Sequence, residues 1–206
     1  MSDAASPRVA LTFDAEHPDR PLCPPRNAER ILDALSSADV RATFFVQGRW
    51  ARSQPLAAKR IATEGHLVGH HSNYHARMTL LSDDGLRQDL AEGEEAIKDV
   101  IGTDPHPWFR CPFGEGFDDP RVRGALEELG YRNVDWHVAV EDWEPWRTPE
   151  AIATDAVGGA LAHGDGAVVL LHTWPGPTAD ALPTVVERLS SAGARFVTVD
   201  ELERLP

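Results

Sequence analysis

Cysteine is scarce in this sequence, and long apolar runs are absent. The two cysteines, Cys23 and Cys111, lie far apart and lack metal-type spacing, so two free thiols are favoured over a disulfide framework. No stretch is apolar enough to span a membrane, and the polar N-terminus lacks a basic start and a cleavage site of small residues. We therefore predict no membrane insertion and no export signal: the protein is cytoplasmic, or its chain was cut from an exported precursor.

Positively charged residues are also few. The chain has 20 Lys and Arg against 33 Asp and Glu, a formal net charge of −13, and its only lysines are Lys59 and Lys98. Such an excess of negative charge repels nucleic acid and anionic membrane surfaces. We predict no nucleic-acid partner, and a neutral or cationic substrate fits this charge best; no protein partner is predicted from the sequence.

The order of apolar segments indicates a parallel α/β fold. Short β-branched or aromatic runs alternate with amphipathic segments of helical period, and 206 residues suit one domain. We predict a single domain over residues 1–206 with a barrel-like set of seven strands, at Arg8–Phe13, Ala42–Gln47, Leu67–His70, Pro107–Arg110, Asn133–Val140, Ala167–Leu171 and Arg195–Val199.

Candidate residues for helix ends agree with this alternation. Ser82 precedes an amphipathic segment as a candidate N-cap, and Gly102, Gly130 and Gly193 follow periodic apolar segments where helices would end. In parallel α/β folds the loops after the strands converge on one face, so polar residues just after strands are the candidate functional groups.

Two histidines follow the third predicted strand. In His71-Ser72-Asn73-Tyr74-His75, two imidazoles four residues apart can aim at a single ion from one helical turn or a tight loop. The alternative is a histidine-rich surface loop, because His66 and His70 lie close by in the sequence.

Two carboxylates follow the first predicted strand. In an extended segment, Asp14 and Glu16 point to one side while Ala15 faces away, so one carboxylate could bind a metal and the other could act as a base. The alternative is that they cap a helix or lie solvated in a loop.

Five ordered motifs make the chain resemble the polysaccharide deacetylases, the NodB-homology or carbohydrate esterase family 4 domain. The motifs are Thr12-Phe13-Asp14, His71-Ser72-x-x-His75, Arg110-x-Pro112-x-Gly114, Asp142-Trp143 and Leu170-x-His172. The resemblance covers nearly the whole chain and implies a distorted (β/α)7-type barrel.

The resemblance also implies roles for individual residues. Asp14 would be the general base, Arg110 the arginine that holds it, and His172 the general acid that protonates the leaving group. Asp142 would stabilise the imidazolium form of His172. The substrate-binding residues would be Phe113, through a backbone N–H that stabilises the oxyanion, and Trp143 and Leu170, as walls of the acyl pocket; core packing is the alternative for the last two.

The metal site departs from the commonest family pattern. Where that pattern has a second aspartate that binds metal, this chain has Ala15, and we predict that Glu16 completes a metal site with His71 and His75. Asp19 is the reserve ligand, and a solvated Glu16 in a metal-free enzyme is the alternative. Zinc is the expected ion, with cobalt or nickel as alternatives. His137 and Ala139 replace further acidic residues frequent in the family, which indicates a divergent branch.

Three functions follow from these features. The first is metal-dependent removal of an N- or O-linked acetyl group from a sugar or polysaccharide such as chitooligosaccharide, peptidoglycan or acetylxylan. The second is hydrolysis of a small cyclic amide or ureide, as in relatives that resemble allantoinases. The third is an inactive barrel that binds carbohydrate through its tryptophans. The combination of Asp14, Arg110 and His172 favours the first.

Overall fold

The computed structural model describes residues 6–16 and 23–203. The described residues form two compact units. The first comprises residues 6–13, 23–43 and 136–203, and the second comprises residues 14–16 and 44–135. The first strand contributes its beginning to one unit and its end to the other.

Eight short strands occur among the described residues: β1 Arg8–Ala15, β2 Thr43–Val46, β3 Leu67–His70, β4 Trp108–Phe109, β5 Arg132–Asn133, β6 Val138–Ala139, β7 Ala167–His172 and β8 Arg195–Phe196. The first unit has the order β8-β1-β7-β6, and the second has the order β5-β4-β3-β2 followed by the end of β1. Pairing is parallel between β1 and β8, β3 and β4, β4 and β5, and β6 and β7. The predicted α/β class is confirmed.

Eight α-helices occur in the described ranges: α1 Asn27–Ser37, α2 Gly48–Ser53, α3 Pro55–Thr63, α4 Asp83–Ile101, α5 Pro120–Glu128, α6 Pro149–His163, α7 Gly176–Ser191 and α8 Val199–Glu203. Short 3-10 turns lie at Met78–Leu80 and Pro112–Gly114. Apolar stripes are buried on α1, α4, α5 and α7, as helical periodicity predicts. In the second unit, Leu86, Leu90 and Leu126 pack with Phe109 and Tyr131 in one hydrophobic cluster.

The predicted start of α4 at Ser82 and its predicted end at Gly102 are confirmed by the cap geometry. The side chain of Ser82 accepts a hydrogen bond from the amide of Gly85 at 3.1 Å, which satisfies one of the free donors at the start of α4. Gly102 ends that helix with a φ of 79°, a left-handed conformation that glycine adopts without steric cost.

Two strand predictions are wrong. The predicted single strand Asn133–Val140 instead begins at the last residue of β5 and includes the separate strand β6. The backbone changes partner between them: the amide of Val134 donates to the carbonyl of Phe109, whereas that of His137 donates to the carbonyl of Val168. Arg195–Val199 was predicted to be extended throughout, but β8 ends at Phe196. The Glu201 carboxylate accepts from the amide of Thr198 at 2.9 Å, a capping interaction that starts α8.

The prediction of free thiols is confirmed, since Cys23 and Cys111 form no disulfide. Burial raises the pKa of the Cys111 thiol to about 12, with the charge of Asp135 as a lesser cause. Within the described residues, no helix has the length and apolar character needed to cross a membrane.

Candidate metal centre and acid–base groups

The loop after β3 carries the two predicted metal histidines. His71 continues the strand register, with its amide donating to the carbonyl of Val46 at 2.9 Å. Ser72 and His75 then adopt left-handed conformations with φ values of 60° and 56°, and the Ser72 hydroxyl accepts from the amide of His75 at 2.8 Å. This tight turn brings the two imidazole rings to a centroid distance of 4.9 Å.

A backbone hydrogen bond fixes the ring of His71. Its Nδ1 lies 2.8 Å from the carbonyl oxygen of Arg110, which can only accept, so Nδ1 carries the proton that is donated. The opposite nitrogen, Nε2, faces the carboxylates, 3.3 Å from Glu16 Oε2 and 3.5 Å from Asp14 Oδ2. With its proton on Nδ1, His71 leaves Nε2 on the carboxylate side as the nitrogen that could bind a metal ion or take a second proton.

Glu16 completes a cluster of potential ligands with the two histidines. One ligand atom from each of Glu16, His71 and His75 lies within 4.8 Å of the others, and all three residues are buried. Nε2 of His75 contacts the Glu16 carboxylate directly. Two imidazole nitrogens and one carboxylate oxygen converging on a point form a donor set that fits zinc and similar divalent ions. Asp19, the reserve ligand, lies outside the described residues.

The other nearby histidines belong to the interior. His70 is fully buried against the rings of Phe109 and Tyr131, and His66 contacts the ring of Phe44. The alternative of a histidine-rich surface loop is wrong, because these side chains and His71 are all shielded from solvent.

Electrostatics at the cluster favour a cation. Burial is the largest single influence on the pKa of His71 and lowers it, but the Asp14 and Glu16 carboxylates together reverse this, and the pKa lies above its ordinary value. The same negative charge that favours a proton on His71 also favours a divalent ion between the ligands.

Asp14 forms a buried ion pair with Arg110. Nη1 of the arginine donates to Asp14 Oδ1 at 2.9 Å, and Nε donates to the carbonyl of Val134 at 3.1 Å. The guanidinium carbon lies 4.1 Å from the centroid of the Phe45 ring. Burial lowers the pKa of Arg110, while the charges of Asp14 and Asp135 raise it in part. These contacts fix the direction of the Asp14 carboxylate.

In the first unit, Asp142 and His172 form the predicted pair. Nδ1 of His172 lies 2.7 Å from Asp142 Oδ1, and the backbone amide of His172 donates to Oδ2 at 2.8 Å. Thr178, in the first turn of α7, donates its hydroxyl to the same Oδ2 at 2.6 Å. Thr178 was not predicted from the sequence; the available signal was a small hydroxyl residue just after Gly176-Pro177, at the start of a helix.

The three predicted substrate contacts lie in different surroundings. Phe113 is exposed, adopts a left-handed φ of 60°, and places its ring 4.4 Å from that of His75. The Trp143 ring lies 5.3 Å from that of His172 and nearly perpendicular to it. Leu170 is buried in β7, paired with Ala139 of β6. Their contact with an acyl group stays a prediction.

The chain is similar in sequence to a known protein family. The family model described as polysaccharide deacetylase matches residues 2–134, more than half of the chain. The peptidoglycan-N-acetylglucosamine deacetylase of Bacillus cereus is 33% identical over 198 residues, which cover 94% of this chain and 67% of the relative.

Solved structures show the same fold. The family 4 carbohydrate esterase from Streptomyces lividans, in complex with acetate, matches with a TM-score of 0.80 and 29% identity, over 93% of this chain and 92% of that one. A family 4 pseudoenzyme from Bacillus anthracis matches with a TM-score of 0.83 and 27% identity, over 96% of this chain and 65% of that one.

Proposed function

The chain belongs to the polysaccharide deacetylase family, and from that premise we propose that it is a metal-dependent hydrolase that removes N-acetyl groups from the amino sugars of a glycan such as peptidoglycan or chitooligosaccharide. The observation that carries the proposal is the convergence of Glu16, His71 and His75 on one point beside the Asp14–Arg110 ion pair. We further propose that residues 1–206 act as one deacetylase domain.

Glu16, His71 and His75 would hold the divalent ion, which we propose to be zinc. The chemistry that such an ion supplies when bound is polarisation of the acyl carbonyl and acidification of a water molecule. Oδ2 of Asp14 lies 3.5 Å from Nε2 of His71, while its Oδ1 accepts a hydrogen bond from Arg110. Its second oxygen can therefore accept the proton of a water molecule that attacks the acyl carbon.

The remaining roles concern the acyl oxygen and the leaving amine. We propose that the backbone N–H of Phe113 donates to the acyl oxygen as negative charge develops on it. His172 would protonate the leaving nitrogen, a role that the family resemblance assigns to it. Asp142, bonded to Nδ1, keeps the other ring nitrogen for that proton and stabilises the imidazolium form.

A non-catalytic carbohydrate-binding role is the second candidate. Two observations favour it: the similarity to a family 4 pseudoenzyme, and Ala15 at the position where the commonest family pattern has a metal-binding aspartate. A pseudoenzyme would bind glycan without releasing acetate.

Acetate release tests the proposal. The protein is stripped with a chelator, reloaded with Zn²⁺, Co²⁺ or Ni²⁺, and incubated with acetylated chitooligosaccharide, peptidoglycan and acetylxylan. We expect metal-dependent release from the amino-sugar substrates, with Asp14→Asn as the inactive control. Glycan binding with no acetate release at any metal loading would reject the deacetylase and support the second candidate.

A further inference from the structure

The loop that carries both metal histidines is held through its backbone from two sides. On one side, the first two amides of α2 donate hydrogen bonds to carbonyl oxygens of the loop. The amide of Gly48 donates to the carbonyl of Ser72 at 3.0 Å, and that of Arg49 donates to the carbonyl of Asn73 at 3.3 Å. The loop's own amides point the other way, toward α4. A single side chain there, Asp89, accepts from two of them.

Each carboxylate oxygen of Asp89 accepts a hydrogen bond from one backbone amide of the loop. Oδ2 accepts from the amide of Asn73 at 3.1 Å, and Oδ1 accepts from the amide of Tyr74 at 3.0 Å. The Ser72 hydroxyl is a further hydrogen-bond partner. The residue is 5% exposed, although a carboxylate in the middle of a helix is normally solvated. Asp89 thus contacts each of the three residues between His71 and His75.

A glycine on the same face of α4 allows this approach. A Cβ on Gly93 would clash with Nε2 of His70 and would lie 3.0 Å from both the amide nitrogen of Asn73 and the carbonyl carbon of Ser72. The last two are backbone atoms of the loop, which cannot move aside easily. Leu86, Leu90 and Gly93 share the buried face of α4 with Asp89. The close packing of α4 against the loop at Gly93 therefore places the Asp89 carboxylate next to the loop backbone.

The loop needs such support because its backbone is strained. Ser72 and His75 both hold left-handed conformations, which are disfavoured for residues that have a Cβ atom. Without partners for the amides of Asn73 and Tyr74, the turn would relax, and His71 and His75 would no longer aim at one point.

We propose that Asp89 is a positioning residue for the metal centre: through the amides of Asn73 and Tyr74 it fixes the turn that directs His71 and His75 to a single ion. This inference rests on the proposed metal site. It predicts that Asp89, which is not a member of the ligand cluster, controls how tightly and in what geometry the ion is bound.

The test compares Asp89→Asn with Asp84→Asn. Both variants remove one charge from α4, but Asp84 is exposed in the first turn. An asparagine keeps the shape and has one acceptor oxygen, so one loop amide would face an NH₂ group. Zinc affinity is measured by competition with a chelator, and the visible absorption spectrum of the Co²⁺-loaded protein reports the ligand geometry.

We expect Asp89→Asn to bind zinc about 10- to 100-fold more weakly, the range found when groups supporting metal ligands are removed, and to change the Co²⁺ spectrum. Asp84→Asn should match the wild type in both. Unchanged affinity and spectrum in folded Asp89→Asn would overturn the inference. If that variant does not fold, Asp89→Glu, which keeps the charge but shifts both oxygens, should bind more weakly than wild type; equal affinity would overturn the inference.

Glu16→Ala separates this inference from the proposed function. If wild type binds no divalent ion, or Glu16→Ala binds it as tightly as wild type, the proposed metal site itself is wrong. If Glu16→Ala loses the ion while both Asp89 variants retain full affinity, the site stands and only the role of Asp89 is wrong.

Discussion

Arg110 directs His71 through its backbone and Asp14 through its side chain. Its carbonyl oxygen lies 2.8 Å from His71 Nδ1, and its Nη1 lies 2.9 Å from Asp14 Oδ1. One residue thereby orients a proposed metal ligand and the proposed base. Because the two contacts use different parts of Arg110, substitution of the side chain separates them.

We expect Arg110→Lys to lose turnover while it keeps the metal. The backbone carbonyl and the positive charge remain, but the planar fork that holds Asp14 and Val134 is lost. A misdirected base should lower kcat by about 100-fold, while zinc affinity stays within about threefold of wild type. Acetate release and chelator competition on the same preparation measure both. A lower melting temperature with normal kcat in the folded fraction would make Arg110 a structural residue only.

Thr178→Val tests how Asp142 is held. The valine has the shape of threonine but cannot donate to Asp142 Oδ2, which then keeps only the amide of His172. A lost hydrogen bond to a charged group is worth about 1.5–3 kcal/mol, so we expect kcat to fall by about 10- to 100-fold with little change in KM. Thr178→Ser should restore kcat, because it restores the hydroxyl. A rise in KM at constant kcat, or no rescue by serine, would contradict a role through Asp142.

His70 should make stability depend on pH. Burial, followed by the charges of His71 and His106, lowers the pKa of His70 to about 3. Between that value and the ordinary 6.5, the unfolded chain binds a proton that the folded protein rejects, so the free energy of unfolding falls as the pH drops below 6.5. The slope from this residue is at most about 1.4 kcal/mol per pH unit.

The measurement compares wild type with His70→Leu, both stripped of metal, by urea unfolding from pH 7 to pH 4. Leucine cannot titrate and suits the apolar contacts with Phe109 and Tyr131. We expect the stability of the variant relative to wild type to rise steadily as the pH falls. A constant difference across this range would show that His70 is protonated in the folded protein as readily as in the unfolded chain.

The parts of the fold that follow local patterns could be predicted from sequence. The stripes on α1, α4 and α7 and the cap at Ser82 depend on periodicity and on neighbouring residues, and all are as expected. The division of 133–140 into β5 and β6 was not predictable in this way. The change of partner from Phe109 to Val168 depends on which distant strand lies alongside, which periodicity does not encode.

The candidate site shows the same limit. Extended geometry predicts that Asp14 and Glu16 share a side, and the spacing of His71 and His75 predicts that both can face one ion. That the two pairs belong to one site was implied by the family resemblance. The supporting groups were missed, because a helical aspartate or threonine is usually a solvated or capping residue. For Asp89 a signal existed: it lies three residues after Leu86 and four before Gly93, on the apolar face of its helix.

The zinc content and zinc affinity of wild type, Glu16→Ala and Glu16→Gln test the proposed metal centre itself. The protein is stripped with a chelator, titrated with Zn²⁺, and checked for fold by circular dichroism. We predict one tightly bound ion per wild-type chain and affinity at least about 100-fold weaker in both variants, because each loses the carboxylate that converges with His71 and His75. A wild type that binds no zinc, or a folded Glu16→Ala protein that binds it as tightly as wild type, would rule out a metal site formed by Glu16, His71 and His75.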